Sequence, residues 1–384
     1  MSMVKASLVS KVHLIEILWY RVRTSITAKI MPIFITHQLL VIGSGYLAKV
    51  FFPVGREAGS WQVVLTNLSH WDGRWYMRIA TEGYTLKSAA FFPLYPVLIK
   101  KMTSLGFTPA WAGAVISNVS FLLVCMLLYY LVRLDTDEKT ALRAVWYLAL
   151  FPTGFFFSAI YTESLFLALV LACFILARQR KWGSASFIGL LASATRNTGV
   201  LLVFPLVVIY LQDIRYKLGR VRWDSLYLGL VPVGLVLYML YLWKTFGNPF
   251  SFLAAQHYWK RSLDLPWANL YLAWENVISN IVMVRNLTDL MFTIFALVLT
   301  AVGARKLRPE YLLYLALGLF VPLTSRAPHA GLLSMPRFML VLFPLYIIMG
   351  DIFQRKSTFR LTIAVSALVM VLFTIMFAYS QFVA

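Results

Sequence analysis

The chain has 384 residues, of which 60% are hydrophobic and 13% charged. A water-soluble globular domain with that balance would expose large apolar patches, so the composition places the chain in lipid. The net charge of +20 comes from short basic clusters between apolar segments, which reads as membrane topology and headgroup contact and excludes a nucleic-acid footprint.

In chain order, Lys5, Lys11, Arg21 and Arg23 precede a first apolar run that is too long and too late for a cleaved signal peptide, so it is expected to be a retained span. Clear spans are predicted near residues 30–52, 109–132, 225–244, 287–303, 310–323, 337–351 and 361–381. Residues 143–177 are too long for one crossing and are split around 157–160; residues 184–211 are split at Arg196-Asn197-Thr198-Gly199. The expected fold class is therefore an all-α polytopic membrane protein, a single transmembrane domain over 1–384 with about 11 crossings. With the N-terminus cytoplasmic, the cytoplasmic segments hold 21 Lys and Arg and the opposite segments 12, the bias that positive-inside sorting requires.

Two long connections then face the non-cytoplasmic side, 53–108 and 245–286, and connections of that length usually carry function. Within the first, FFPLYPVLIKKM at 91–102 is predicted to lie along the interface as a short helix. Cys125 and Cys173 stand alone inside apolar runs, with neither a disulfide framework nor a zinc pattern.

The most informative segment is HWDGRWYMRIATEGY at 70–84. Asp72, between Trp71 and Trp75 in a partly dehydrated setting, is the candidate general base, and Arg74 and Arg78 offer charge to an anionic group. Read structurally, the same residues make an aromatic belt with snorkelling arginines and a helix-capping Asp. Glu163, Arg196, Asn197 and Arg337 are costly where they stand, at span ends predicted to share the outer face. His257 with Lys260 and Arg261, and Arg326 with His329, add basic groups there. A Glu163–Arg196 ion pair is the structural alternative for two of these residues.

No Walker A loop, GxSxG elbow, HExxH or DxD pair is present. An outward-facing enzyme without access to cytosolic nucleotide sugars would draw on a donor carried in the membrane, and a lipid phosphate meets that need because interfacial arginines can neutralise it.

Four ordered blocks, WDGRWYMRIATEGY with AAFFPLYP, FPTGFFFSAIYTESLF, ASATRNTG and, more weakly, PRFMLVLFPLY at 336–346, resemble the PIG-V family, the second mannosyltransferases of glycosylphosphatidylinositol synthesis, and its prokaryotic relatives. The resemblance implies the GT-C glycosyltransferase fold, with short interfacial helices in the first outer loop. It also implies a polyprenyl- or dolichyl-phosphate sugar donor, probed by Asp72 as base, Glu163, and Arg196-Asn197. The reaction so implied is an inverting single displacement that needs no cofactor and no metal; Trp71, Arg74, Arg78, His257 and Arg337 are further expected substrate contacts from their own charge and position. The acceptor would be a glycolipid or another glycan; membrane lipids are the surroundings, with no nucleic-acid partner. The chain departs from eukaryotic members in being short and in reading TRN at 195–197, which suggests a prokaryotic plasma-membrane protein. An oligosaccharide ligase or polymerase and a multi-span transporter are the competing classes. A transporter predicts charges at mid-membrane in paired broken helices, whereas here they gather at span ends.

Overall fold

The computed structural model describes residues 25–51, 65, 68–327, 330–332, 334–381 and 383. The basic N-terminal residues before 25, part of the first outer loop and His329 lie outside the described residues.

Helix α1 (Ile26–Phe51) is the first apolar span. The outer segment then supplies α2 (Asp72–Glu82), whose buried residues Gly73, Tyr76, Ile79 and Ala80 make one face. After a 3₁₀ turn at Lys87–Ala90 comes α3 (Leu94–Thr103), the helix expected at 91–102, beginning just after Pro93. Helix α4 (Pro109–Arg133) starts with Pro109 in its first turn and the Thr108 hydroxyl accepting from Trp111 N at 3.3 Å. Asp137 likewise caps α5 (Glu138–Ala149), accepting from Thr140 N at 2.6 Å.

The two long apolar stretches break where expected. The first gives α5, a 3₁₀ segment at Gly154–Phe157 and α6 (Glu163–Arg178). The second gives α7 (Trp182–Ser193), a 3₁₀ segment at Asn197–Leu202 and α8 (Val203–Asp213). Gly199 is what lets that corner close: a Cβ there would lie 2.4 Å from Ala192 O.

The expected span 225–244 is bent by 41° between a 3₁₀ segment (Trp223–Leu230) and α9 (Val233–Phe246), with Pro232, which lacks a backbone N–H, at the bend. Then follow α10 (Ser251–Tyr258), β1 (Ser262–Leu263), α11 (Pro266–Ile278), α12 (Met283–Gly303), α13 (Pro309–Leu323), β2 (Ser325–Arg326), α14 (Met335–Met339), α15 (Phe343–Ile352) and α16 (Lys356–Ala378). The expected span 337–351 is two short helices, with Pro336 and Pro344 each opening one of them. β1 and β2 pair antiparallel, Ser262 opposite Arg326.

Among the described residues four helices, α1, α4, α12 and α16, are long and apolar enough to cross a membrane, or five with the bent pair counted as one span. The chain is a multi-pass membrane protein. Eleven crossings were expected; the divided stretches give helices of 12 residues in α5 and α7 and 16 in α6, shorter than the roughly 20 a full crossing needs.

The centre is aromatic, with Phe121, Phe157, Phe166, Phe174, Tyr161 and Phe343 among its fully buried side chains. α6 runs against α4 and α7, α15 against α5, and α16 against α1. Ile160 wedges between α4 and α2: it donates from its backbone N to Leu68 O at 2.9 Å, and its side chain leaves no room for a Cβ on Gly113.

Charged side chains gather at two ends of this bundle. At one end Arg178 pairs with Asp135 and donates to Tyr311 Oη, Arg308 reaches Asp135 and Glu310, and Gln212 Nε2 donates to Glu310 at 2.9 Å. Lys29–Glu138 and Lys306–Asp351 add to it. These residues come from, or adjoin, the segments the charge bias groups as cytoplasmic. Asp72, Glu163, Arg196 and Arg337 gather elsewhere.

Candidate functional site

Arg337 is the hub. Its Nη1 donates to Asp72 Oδ2 at 2.7 Å and its Nε to Glu163 Oε1 at 2.6 Å, while Arg196 Nη1 donates to the same Glu163 oxygen at 2.8 Å. Four chain segments thus meet in one charge cluster. The guanidinium of Arg337 lies 4.6 Å from the Tyr161 ring centre and 5.4 Å from that of Phe156; Arg196 lies 5.7 Å from both Phe166 and Phe338. Aromatic faces on this scale favour cations that have lost water.

The two carboxylates differ in access. Glu163, the first residue of α6, is fully buried, so its charge must be met inside the protein. The Asp72 side chain, the first of α2, is 26% exposed, and its Oδ1 has no hydrogen bond among the described residues. One oxygen of Asp72 is held by Arg337 and the other makes no such contact.

The backbone that aims these groups turns through left-handed residues. Trp71 has φ 55° immediately before Asp72, and Ser334 has φ 63° just before the short helix carrying Arg337. Non-glycine residues take such φ values at a cost that the surrounding structure has to meet. Tyr161 Oη donates to His70 O at 3.1 Å, tying the approach to Asp72 to the loop that carries Glu163.

Of the other expected site residues, Trp71 is exposed beside Asp72. Arg74 is exposed and donates to His70 Nδ1 at 3.3 Å. Arg78 turns to Glu82 instead, an exposed pair at 2.8 Å with i,i+4 spacing. Asn197 accepts from Thr198 N at 2.9 Å and closes its own turn. His257 is exposed on α10, four residues before Arg261. Arg326 pairs with Asp264 at 2.9 Å.

Two residues matter that the sequence did not single out. Arg261, read there only as one of several basic groups, is half-buried within electrostatic range of Asp72, Arg337 and Arg196. Asp289, buried in α12, accepts from Met335 N at 2.9 Å. The expense of a carboxylate in an apolar span was the available signal for Asp289; Arg261 carried none beyond its charge.

Beside Arg196 lies a small cavity of about 20 Å³, lined mostly by apolar groups that include Phe166, Leu201, Leu317, Phe338 and Leu342, with Thr198 and Tyr314 adding hydroxyls. Among the described residues no three His, Cys, Asp or Glu side chains are placed to hold a metal ion, and both acidic site residues are ion-paired to arginine.

A family model described as mannosyltransferase (PIG-V) matches residues 52–258, more than half of the chain. Asp72, Glu163 and Arg196 lie inside that match; Arg261 and Arg337 lie beyond it. "GPI mannosyltransferase 2" of Drosophila pseudoobscura pseudoobscura is 29% identical over 212 residues, covering 48% of this chain and 46% of that protein. The protein of the same name in Gibberella zeae is 32% identical over 122 residues, 30% of this chain and 29% of its own. The match thus spans less than half the length of either relative. Among solved structures, the Archaeoglobus fulgidus oligosaccharyltransferase aligns with 91% of this chain and 52% of its own at 13% identity, with a TM-score of 0.42.

Proposed function

This chain belongs to the mannosyltransferase (PIG-V) family, and on that premise we propose that it moves a mannosyl group from a polyprenyl-phosphate donor to a hydroxyl of a glycolipid or glycan acceptor on the non-cytoplasmic face. The observation that carries this reading is the half-held carboxylate of Asp72, fixed on one oxygen by Arg337 and open on the other. The GT-C type of fold and a prokaryotic plasma membrane, with the N-terminus cytoplasmic, go with the same reading.

In the reaction, Asp72 Oδ1 takes the proton of the acceptor hydroxyl as that oxygen attacks the anomeric carbon. The bond from the anomeric carbon to the phosphate oxygen breaks, and its electron pair leaves with the lipid phosphate. A β-linked mannosyl phosphate becomes an α-mannoside. Arginine stabilises the charge that develops on the phosphate, which removes the need for a divalent metal. Glu163, closed off by two arginines, orients guanidinium groups and takes no proton.

The test is transfer of radiolabelled mannose from polyprenyl-phosphate mannose to membrane lipid extract of the source organism, in detergent with EDTA, by wild type and Asp72→Asn. Wild type labels a product, and the variant is slower by at least about 100-fold, the lower end for loss of a positioned base. Equal labelling removes Asp72 as base; no labelling by either protein overturns the donor class.

A further inference from the structure

The charges of the cluster do not all cancel. Asp72 and Glu163 carry two negative charges, and Arg337 and Arg196, which bind them, carry two positive ones. Those four groups are neutral together and hold one another. Arg261 stands beside them as a further cation, and among the described residues its guanidinium has neither a hydrogen bond nor an ion pair. Burial and the guanidinium groups of Arg337 and Arg196 press its pKa below the ordinary arginine value while Asp72 opposes them, and an arginine so placed stays charged. Holding a third cation here, half-buried and unpaired, costs stability unless an anion joins it.

The placement of Arg261 is built in. α10 ends in a left-handed residue, Lys260 at φ 53°, with Arg261 N donating back to Gln256 O at 2.9 Å and Lys260 N to His257 O at 2.9 Å. This helix-ending motif turns the chain sharply. On one side of the turn Trp259 packs edge-on to Trp75 at 5.6 Å and to Phe91 at 5.8 Å, with Lys87 Nζ 5.4 Å from its ring centre. Trp75 lies one turn after Asp72 on α2. On the other side Ser262 enters the β1–β2 pair at once. Arg261 is therefore clamped between an aromatic anchor on α2 and the β1–β2 strand pair.

We propose that Arg261 is the donor-phosphate ligand of this site: its unpaired guanidinium binds the phosphoryl group of the lipid-linked sugar and follows the charge onto the departing lipid phosphate. The assignment rests on the reading under Proposed function. The sugar phosphodiester brings a negative charge that the Arg261 guanidinium can meet. When the anomeric bond breaks, the phosphate gains a second charge, and a guanidinium fork strengthens its hold at that moment.

The test compares wild type, Arg261→Gln, Arg261→Lys and Lys260→Gly in the mannosyl-transfer assay, varying donor and acceptor separately, with undecaprenyl monophosphate, undecaprenol and inorganic phosphate as inhibitors. Lys260→Gly removes a neighbouring positive charge and keeps the left-handed turn, so it stays close to wild type. In Arg261→Gln the donor KM and the inhibition constant of undecaprenyl monophosphate rise about 10- to 100-fold, the scale of a charge-assisted hydrogen bond. Acceptor KM and inhibition by undecaprenol do not change. Arg261→Lys recovers part of the loss, because it restores the charge without the fork. Unfolding temperatures in detergent that match wild type exclude misfolding, and the Lys variant answers the question if the Gln variant is unstable.

An unchanged donor KM in an active Arg261→Gln enzyme overturns the assignment alone. A change confined to acceptor KM overturns it in favour of an acceptor phosphate. Inhibition by inorganic phosphate that is as strong as by the lipid phosphate, and lost in Arg261→Gln, overturns it in favour of a free-phosphate site. A wild-type protein that transfers no mannose overturns the functional reading and this assignment together.

Discussion

The carboxylate of Asp289 on α12 accepts a hydrogen bond from the backbone N of Met335 at 2.9 Å, so a residue buried in a membrane helix holds the first turn of the short helix that carries Arg337. Ser334, at the start of that helix, supplies no side-chain cap of its own. Asp289→Ala leaves the Met335 N–H without its acceptor, a loss of about 1–3 kcal/mol. Mannosyl transfer should fall about tenfold through kcat while donor KM holds. Asp289→Asn keeps an accepting oxygen and should retain most activity, and steady-state kinetics on the two variants separate the hydrogen bond from the charge.

Glu163 is fully buried and shared by Arg196 and Arg337. Glu163→Gln leaves two inward guanidinium groups without their common counter-charge, which destabilises the fold by about 3–5 kcal/mol. Thermal unfolding in detergent should show a lower transition temperature for Glu163→Gln. The double variant Glu163→Gln with Arg196→Gln should lose less than the two single changes added together, as coupled partners do. Additive losses would mean that the two side chains are not energetically coupled.

Trp259 docks α10 against α2 through Trp75 and Phe91. Each aromatic contact of this kind contributes about 0.5–1.5 kcal/mol beyond buried area. Trp259→Ala should raise donor KM about tenfold with kcat held within a few-fold, and Trp259→Phe should recover most of it. A Trp259→Ala enzyme with wild-type donor KM would show that α10 stays in place without the indole.

The strand pair next to Arg261 responds to acid. The backbone N–H of Leu265, and then Arg326, hold the Asp264 carboxyl below its ordinary value of 3.8. Because the folded value is the depressed one, the stabilisation is complete above that ordinary value and is lost as pH falls through the folded value. Amide exchange at Ser262–Leu263, corrected for intrinsic rates, should accelerate only below about pH 4 in wild type. Asp264→Asn should lose the ionic part of the protection at neutral pH, leaving the pH step absent.

The membrane helices were legible because long apolar runs have few other stable solutions, and the breaks in 143–177 and 184–211 were legible because Gly, Pro and Arg-Asn interrupt them. The Glu163–Arg196 pair could be anticipated from the cost of either charge alone. Arg337 as hub could not, since it joins Asp72 across 265 residues and no local period records such a meeting. Arg78 was attractive by proximity, yet Glu82 one turn later was the nearer claimant. His257 and Arg261 looked equivalent until the left-handed turn at Lys260 separated them. Helix ends were less legible, because hydropathy sums residues without seeing where a proline opens a new helix, as between α14 and α15.

The long reach of Arg337 also sets an order of events during synthesis. Glu163 and Arg196 are 33 residues apart, about 2–7 s of translation at roughly 5–20 residues per second. That pair offers the nascent α6–α7 hairpin an internal counter-charge while the rest of the chain is still on the ribosome. Arg337 follows Glu163 by 174 residues, roughly 9–35 s later at the same rates. For that interval Asp72 has no Arg337 to hold it, so the membrane contains a largely inserted chain whose charge cluster is still incomplete.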